Sequence, residues 1–213
     1  AQLSSNEFLT EYLIGALGMS HFVVGYDHRF GKDRDKGFEA YKSICNKKNV
    51  GIERVEPYFE KDAIVSSSII RDYLRKGNMT LANKMLAYDY LLSGTVVEGV
   101  KIGRKLGFPT ANIQLDDTFK LIPAQGVYSC WAEIDDLKYP AMMNIGYRPT
   151  LNSDEKNVTI EVHILNFDKD IYGEKICVHM VGHLRSEMAF ENLNALIHQL
   201  KKDEKKALNQ LSK

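Results

Sequence analysis

The chain has 213 residues, enough to bury one large core or two small ones, and its 28 basic and 28 acidic residues leave no formal net charge. So balanced a chain has no global field to draw in nucleic acid or an anionic membrane, and any charged site must be local. The three cysteines, Cys45, Cys130 and Cys177, form no C-x-x-C pair, which argues against a zinc ribbon or a disulfide framework and for a reducing, cytoplasmic setting. No apolar run approaches the ~20 residues of a membrane span, and no basic-then-apolar signal segment opens the chain.

Ala1–Gln2–Leu3–Ser4–Ser5–Asn6 leads straight into a helical pattern with neither an initiator methionine nor a preceding strand, as a fragment of a longer protein would. Phe8, Leu9, Tyr12, Leu13 and Leu17 recur at helical spacing behind a cap at Ser5 or Asn6, and Gly18 supplies the stop. His21–Gly25 reads as a short buried strand, Gly37–Lys48 as a helix and Gly51–Val55 as a second strand. Ser68–Lys76 is a third helix ending at Gly77–Asn78, and Thr80–Leu86 a short fourth. Strands alternating with helices indicate an α/β domain with a parallel sheet over residues 1–86. Ala87–Tyr90 reads as a linker.

From Leu91 the texture changes. The runs Leu91–Val97, Gly126–Ile134, Tyr139–Ile145, Val158–Leu165 and Lys175–Leu184 are rich in β-branched and aromatic residues and separated by turn clusters, the pattern of a small antiparallel barrel over residues 91–213. Helical spacing returns from Glu187 to Gln199 and again from Lys201 to Leu211. Lys201–Lys206, with its mixed charges, reads as a solvated face.

The stretch Gly99–Val100–Lys101–Ile102–Gly103–Arg104–Lys105–Leu106–Gly107–Phe108–Pro109–Thr110–Ala111–Asn112 carries the most chemistry. Its glycines let a backbone approach polyphosphate closely, and Lys101, Arg104 and Lys105 supply countercharge. Thr110 and Asn112, two apart in an extended segment, point their oxygens to one side, which suits a hard cation that keeps waters and substrate phosphates. No G-x-x-x-x-G-K-[ST] occurs, so a Walker loop is excluded. The leading reading is a small-molecule phosphotransferase; a glycine-rich turn with merely solvated lysines is the other. His179 and His183 stand four apart, but on a strand that separates them by about 13 Å, so structural histidines are expected there rather than metal ligands.

Gly99–Asn112, Gly126–Val127–Tyr128, Asn144–Ile145–Gly146–Tyr147–Arg148–Pro149–Thr150, Glu161–Val162–His163 and Leu184–Arg185–Ser186–Glu187 together resemble riboflavin kinase. Val24–Gly31 and Val65–Arg71 resemble the second half of the nucleotidyltransferase domain of the bifunctional bacterial enzyme that makes FMN and then FAD. The resemblance implies a partial, Rossmann-like nucleotidyltransferase domain followed by a six-stranded antiparallel Greek-key β-barrel with C-terminal helices. It implies transfer of the γ-phosphoryl group of ATP to the 5′-hydroxyl of riboflavin at the barrel mouth.

By the same resemblance Thr110 and Asn112 hold Mg²⁺, and Glu161 is the catalytic base. The ATP-binding residues are Gly99, Lys101, Gly103, Arg104, Gly107, Ile164, Asn166 and Tyr172, and Arg185, Met188 and Phe190 lie at the flavin. Arg148 is expected as a loop anchor. On residue chemistry alone a solvent-facing carboxylate on an antiparallel strand is the favoured reading of Glu161, and a core aromatic an equal one for Phe190. The alternation of Thr159, Glu161 and His163 with Ile160 and Val162 does place Glu161 and His163 on one face.

Gly25, Asp27, Ser66, Ser67, Ser68 and Arg71 correspond to what remains of an adenylyltransferase site, the serines forming a helix N-terminus suited to phosphate or simply a serine cap. The H-x-G-H motif that such a site needs is absent from the 213 residues, and is expected upstream of Ala1. The expectation is therefore riboflavin phosphorylation without FAD synthesis unless upstream residues are restored. Substrates are small molecules, with neither nucleic acid nor membrane as partner, and oligomeric state is not legible. A non-catalytic flavin-binding module and an adenylyltransferase are the alternatives.

Overall fold

The computed structural model describes residues 2–33, 36–61, 63–99, 102–148 and 157–212. The chain forms two compact units, Ala1–Val65 and Ser66–Lys213.

In the first unit, α1 (Ser5–Glu7) starts at Ser4, whose hydroxyl caps Glu7 while the Glu7 carboxylate returns to the Ser4 amide, a reciprocal capping box one residue before the expected cap. Phe8–Ala16 continues as a π-helical segment rather than an α-helix, and Leu17 N–H donates to Tyr12 O at 2.9 Å, a five-residue spacing. Gly18, at φ 67°, ends it as expected. β1 (His21–Gly25) pairs in parallel with β2 (Gly51–Val55), and α2 (Gly37–Lys47) joins them, so the expected parallel βαβ unit forms. Tyr41 and Cys45, one turn apart on α2, are fully buried. A small hairpin, β3 (Phe59–Glu60) with β4 (Ala63–Ile64), is too short to leave a periodic signal.

The second unit begins with α3 (Ser67–Arg75), capped by the Ser66 hydroxyl, and α4 (Met79–Leu86), capped by Asn78. These two helices, grouped by sequence pattern with the α/β segment, bury Leu74, Met79 and Ala82 against the barrel core. β5 (Tyr90–Val97), β6 (Ala111–Leu115), β7 (Gly126–Ile134), β8 (Leu137–Arg148), β9 (Asn157–Ile164) and β10 (Lys175–Arg185) close into an antiparallel barrel in the order β10-β5-β6-β9-β8-β7. The meander β7-β8-β9 returns to lay β9 beside β6, which is a Greek key. One helical turn, α5 (Ile102–Lys105), interrupts the loop between β5 and β6.

Alternation decides which residues fill the barrel. Leu92, Val96, Met143, Ile145, Ile160, Val162, Val178 and Met180 point inward and are buried. Outward residues of β7, β8 and β10 are covered in turn: Val127, Met142 and Leu184 join Phe108, Leu165 and Ala207 in a second cluster under α6 (Leu193–Leu211). The two expected C-terminal helices are therefore one. Asn192 caps it at the Ala195 amide, and no glycine or proline divides it at residue 200. Residues 187–192 precede the helix instead of belonging to it.

The Lys201–Lys206 run is not simply a solvated face: Asp203 is buried, and Lys206 Nζ donates to the Leu184 carbonyl. His179 Nε2 donates to the Glu133 carboxylate at 2.8 Å, and the His183 ring packs edge-on against Tyr128 at 5.0 Å. Both rings are thus engaged with neighbouring strand β7.

Leu92 is fully buried, so Leu92→Ala is expected to cost about 2–5 kcal/mol in urea unfolding, against about 0.5 kcal/mol or less for Leu137→Ala on the exposed hairpin. Burial, and secondarily Lys206, lowers the pKa of His183, so the unfolded chain binds that proton more readily. The contribution of His183 is fully present above the unfolded histidine pKa of about 6.5 and is lost as pH falls below it. The midpoint of unfolding is expected to drop between pH 7 and pH 5, and less steeply in His183→Gln.

Candidate functional site

β9 sets the geometry. Ile160 and Val162 are buried inside the barrel, so Glu161 and His163 emerge on its outer wall. Register places Asn112 of β6 opposite Glu161 on one side and Asn144 of β8 opposite it on the other. Thr110, immediately before β6, donates from Oγ1 to Glu161 Oε2 at 3.3 Å. The Pro109 carbonyl lies 2.7 Å from His163 Nδ1; a carbonyl can only accept, so Nδ1 carries the proton and ties the loop to β9. Phe108 stacks edge-on with the same ring at 5.2 Å.

Two cavities meet at Thr110. The larger, about 620 Å³, lies between the outer wall and the chain around α6, lined by Phe108, Val127, Met142, Met143, Leu196 and Leu200, by Met188, Ala189 and Phe190, and by the polar groups of Thr110, Asn144, Glu161, His163, Arg185 and Glu187. The smaller, about 70 Å³, is lined by Val96, Arg104, Pro109, Thr110, Ala111, Ile164, Phe167, Lys169, Asp170 and Tyr172 among others.

The expected residues fall around these spaces unevenly. Gly103, Thr110, Glu161, Arg185, Met188 and Phe190 line the larger cavity, and Arg104, Ile164 and Tyr172 the smaller. Asn112 lines neither, but its amide packs so closely on Gly99 that a Cβ there would lie 2.0 Å from Nδ2. Gly107 adopts φ 81°, a turn that favours glycine. Asn166, in a left-handed turn at φ 53°, is exposed and lines neither cavity. Lys101 lies outside the described residues, as do Pro149, Thr150 and the side chain of Arg148.

Arg185 is the most tightly held of the group. Its Nε donates to Asp203 Oδ2 at 2.8 Å and Nη1 to the Ser186 carbonyl at 3.0 Å, while the guanidinium sits 5.7 Å from the Phe190 ring centroid. Phe190 thus lines the cavity rather than the core. In the first unit, Gly25 and Asp27 lie exposed at the C-terminal end of β1. In the second, Ser66 caps α3 while Ser67, Ser68 and Arg71 are exposed.

Residue order alone assigns no role to Asn144, Glu187 or His163, nor to the apolar wall of Phe108 and Met142. Asn144 and Glu187 both crowd Gly146, whose absent side chain is the one available signal: a Cβ there would lie 2.6 Å from Glu187 Oε1 and 3.2 Å from Asn144 Nδ2. Among the described residues no group of three or more His, Cys, Asp or Glu side chains is arranged to hold a metal ion, and no helix is long and apolar enough to cross a membrane.

A Greek-key barrel with a large and a small cavity that share Thr110, whose hydroxyl meets the Glu161 carboxylate, has the form of a small-molecule site. Comparison with known proteins gives it a family. The riboflavin kinase family matches residues 86–211, and FAD synthetase matches residues 1–69. The chain is 35% identical over 213 residues to the bifunctional riboflavin kinase/FMN adenylyltransferase of Bacillus subtilis, covering 100% of this chain and 66% of that protein. It is 36% identical over 205 residues to that of Listeria monocytogenes, covering 96% and 64%. A crystal structure of a macrolide-efflux protein from Streptococcus pneumoniae superposes with a TM-score of 0.89 at 35% identity, over 98% of this chain and 66% of that one. The chain belongs to the riboflavin kinase family, and spans 64–66% of the length of these relatives.

The turn of α5 depends on Gly103, where a Cβ would lie 2.3 Å from the backbone oxygen of Phe108. Gly103→Ala is expected to destabilise the protein by about 1–3 kcal/mol in urea unfolding, since a backbone atom cannot step aside as a flexible side chain can.

Proposed function

We propose that this chain is an ATP-dependent riboflavin kinase, transferring the γ-phosphoryl group of ATP to the 5′-hydroxyl of riboflavin to give FMN. The observation that carries the reading is the Thr110–Glu161 contact at the junction of the two cavities. The larger cavity has the volume of a small-molecule site and the thioether and aromatic lining that a flat flavin ring requires, with Arg185, Met188 and Phe190 at its outer edge. Its polar end presents Glu161, Asn144 and His163, where a ribityl chain would finish.

Phosphoryl transfer needs positioning and charge neutralisation more than covalent help. Glu161 accepts the proton of the attacking hydroxyl, its carboxylate oriented by Thr110. Gly99, Lys101, Gly103, Arg104 and Gly107 form the phosphate cradle, and Ile164, Asn166 and Tyr172 take the adenosine side. Thr110 and Asn112 offer the neutral oxygen donors that Mg²⁺ takes alongside substrate phosphates and water, and they fit that ion as an open site. Bound there, the ion would neutralise phosphate charge.

We propose residues 1–86 and 91–213, joined at 87–90, as the functional modules. Gly25 and Asp27 in the first unit, and Ser66–Ser68 and Arg71 in the second, are the positions that match adenylyltransferase motifs, and FAD formation on our reading requires an H-x-G-H motif that the 213 residues do not contain. The working location is the cytoplasm, and the partners are small-molecule substrates.

With riboflavin, ATP and Mg²⁺ the chain is expected to form FMN, and with FMN in place of riboflavin to form no FAD. Glu161→Gln is expected to lower turnover about 10²–10⁴-fold while riboflavin still quenches on binding. Unchanged turnover in that variant would remove Glu161 from the mechanism.

A further inference from the structure

We propose that Asp203, on α6 and outside the cavity, is a positioning residue that sets the affinity for riboflavin by holding Arg185 against Phe190. The inference rests on the flavin side of the function proposed above. Asp203 is 2% exposed, and both carboxylate oxygens are engaged: Oδ2 accepts from Arg185 Nε and Oδ1 from Gln199 Nε2, each at 2.8 Å.

A buried ion pair is a poor way to gain stability, because desolvating two charges offsets much of their attraction. What this pair does supply is direction. Nε fixed by Asp203 and Nη1 fixed by the Ser186 carbonyl define the plane of the guanidinium, and that plane brings it within 5.7 Å of the Phe190 ring. Arg185 and Phe190 both line the 620 Å³ cavity, whereas Asp203 does not. Gln199, four residues earlier on the same helix, orients the carboxylate from the other side, and Lys206 ties α6 to the Leu184 carbonyl at the end of β10. The helix that covers the barrel wall therefore also aims a side chain that lines the site.

A purely structural role would lower stability and leave the riboflavin and ATP constants moving together. Positioning through Arg185 predicts a split. Riboflavin affinity, read by quenching of flavin fluorescence on the full chain, and both Michaelis constants are measured for wild type, Asp203→Asn, Gln199→Ala, Arg185→Ala and the Asp203→Asn/Arg185→Ala double variant.

Asp203→Asn is expected to raise the riboflavin Kd and KM about tenfold, as loss of a charge-assisted hydrogen bond does, with the ATP KM and kcat held within about twofold. In the Arg185→Ala background the same change is expected to add less than about twofold, because the two residues act as one unit. Gln199→Ala is expected to raise the riboflavin constants about threefold, and stands in if Asp203→Asn does not fold. Unaltered riboflavin constants in the folded variants, or an effect of full size without Arg185, would overturn the inference. Absence of riboflavin binding by the wild-type chain would overturn the function on which it rests.

Discussion

The alternation of β9 is the constraint on which the site depends. Ile160, Val162 and Ile164 are buried by the barrel, so the strand cannot slip by one residue without turning its apolar set into solvent. The same rule drives Glu161 and His163 outward. Pairing with β6 and β8 then aligns Asn112, Glu161 and Asn144 across three neighbouring strands, so the polar row is fixed by register and not by a flexible loop. The segment before β6 closes the arrangement, with Thr110 on the carboxylate and Pro109 on the imidazole.

The outer wall is also where the barrel needs cover. Outward residues of β7, β8 and β10 would expose Val127, Met142 and Leu184 if α6 did not lie over them. The helix covers part of this wall, and the chain before it, through Met188 and Phe190, lines the space left open. One apolar surface thus serves as a packing interface at one end and a cavity at the other. The polar contacts of α6, Asp203 with Arg185 and Gln210 with the Ser129 hydroxyl at 2.6 Å, are what locate it on the wall.

Much of this was legible from residue order. Runs rich in β-branched and aromatic residues between turn clusters marked five barrel strands, Gly126–Ile134 to the residue. The parallel β1–β2 unit and its helix followed the same logic. β6 was harder: its five residues follow a proline and carry too few alternations to read alone, so it was seen only as an extended Thr110–Asn112 pair. α5, a single turn, has no periodicity to detect, and nothing in the sequence between Phe8 and Ala16 distinguishes π from α pitch. Asp203 was hidden by its charged neighbours, since Lys201–Lys206 looks solvated until Arg185, 18 residues earlier in the chain, is found against it. Asn144 and His163 stood within recognised motifs; alternation already put His163 on the face of Glu161, whereas Asn144 joins them only through cross-strand register.

On the proposed function, flavin and nucleotide occupy opposite sides of the Thr110–Glu161 junction. Methyl resonances of Met142 and Met188 report on the larger cavity and those of Ile164 and Ile171 on the smaller. Titration of the labelled protein, first with riboflavin and then with a non-hydrolysable ATP analogue and Mg²⁺, separates the two. Riboflavin is expected to shift the methionine signals and leave Ile171 in place, and the analogue then to shift the isoleucines. Riboflavin shifting Ile164 and Ile171 while sparing Met142 and Met188 would contradict it.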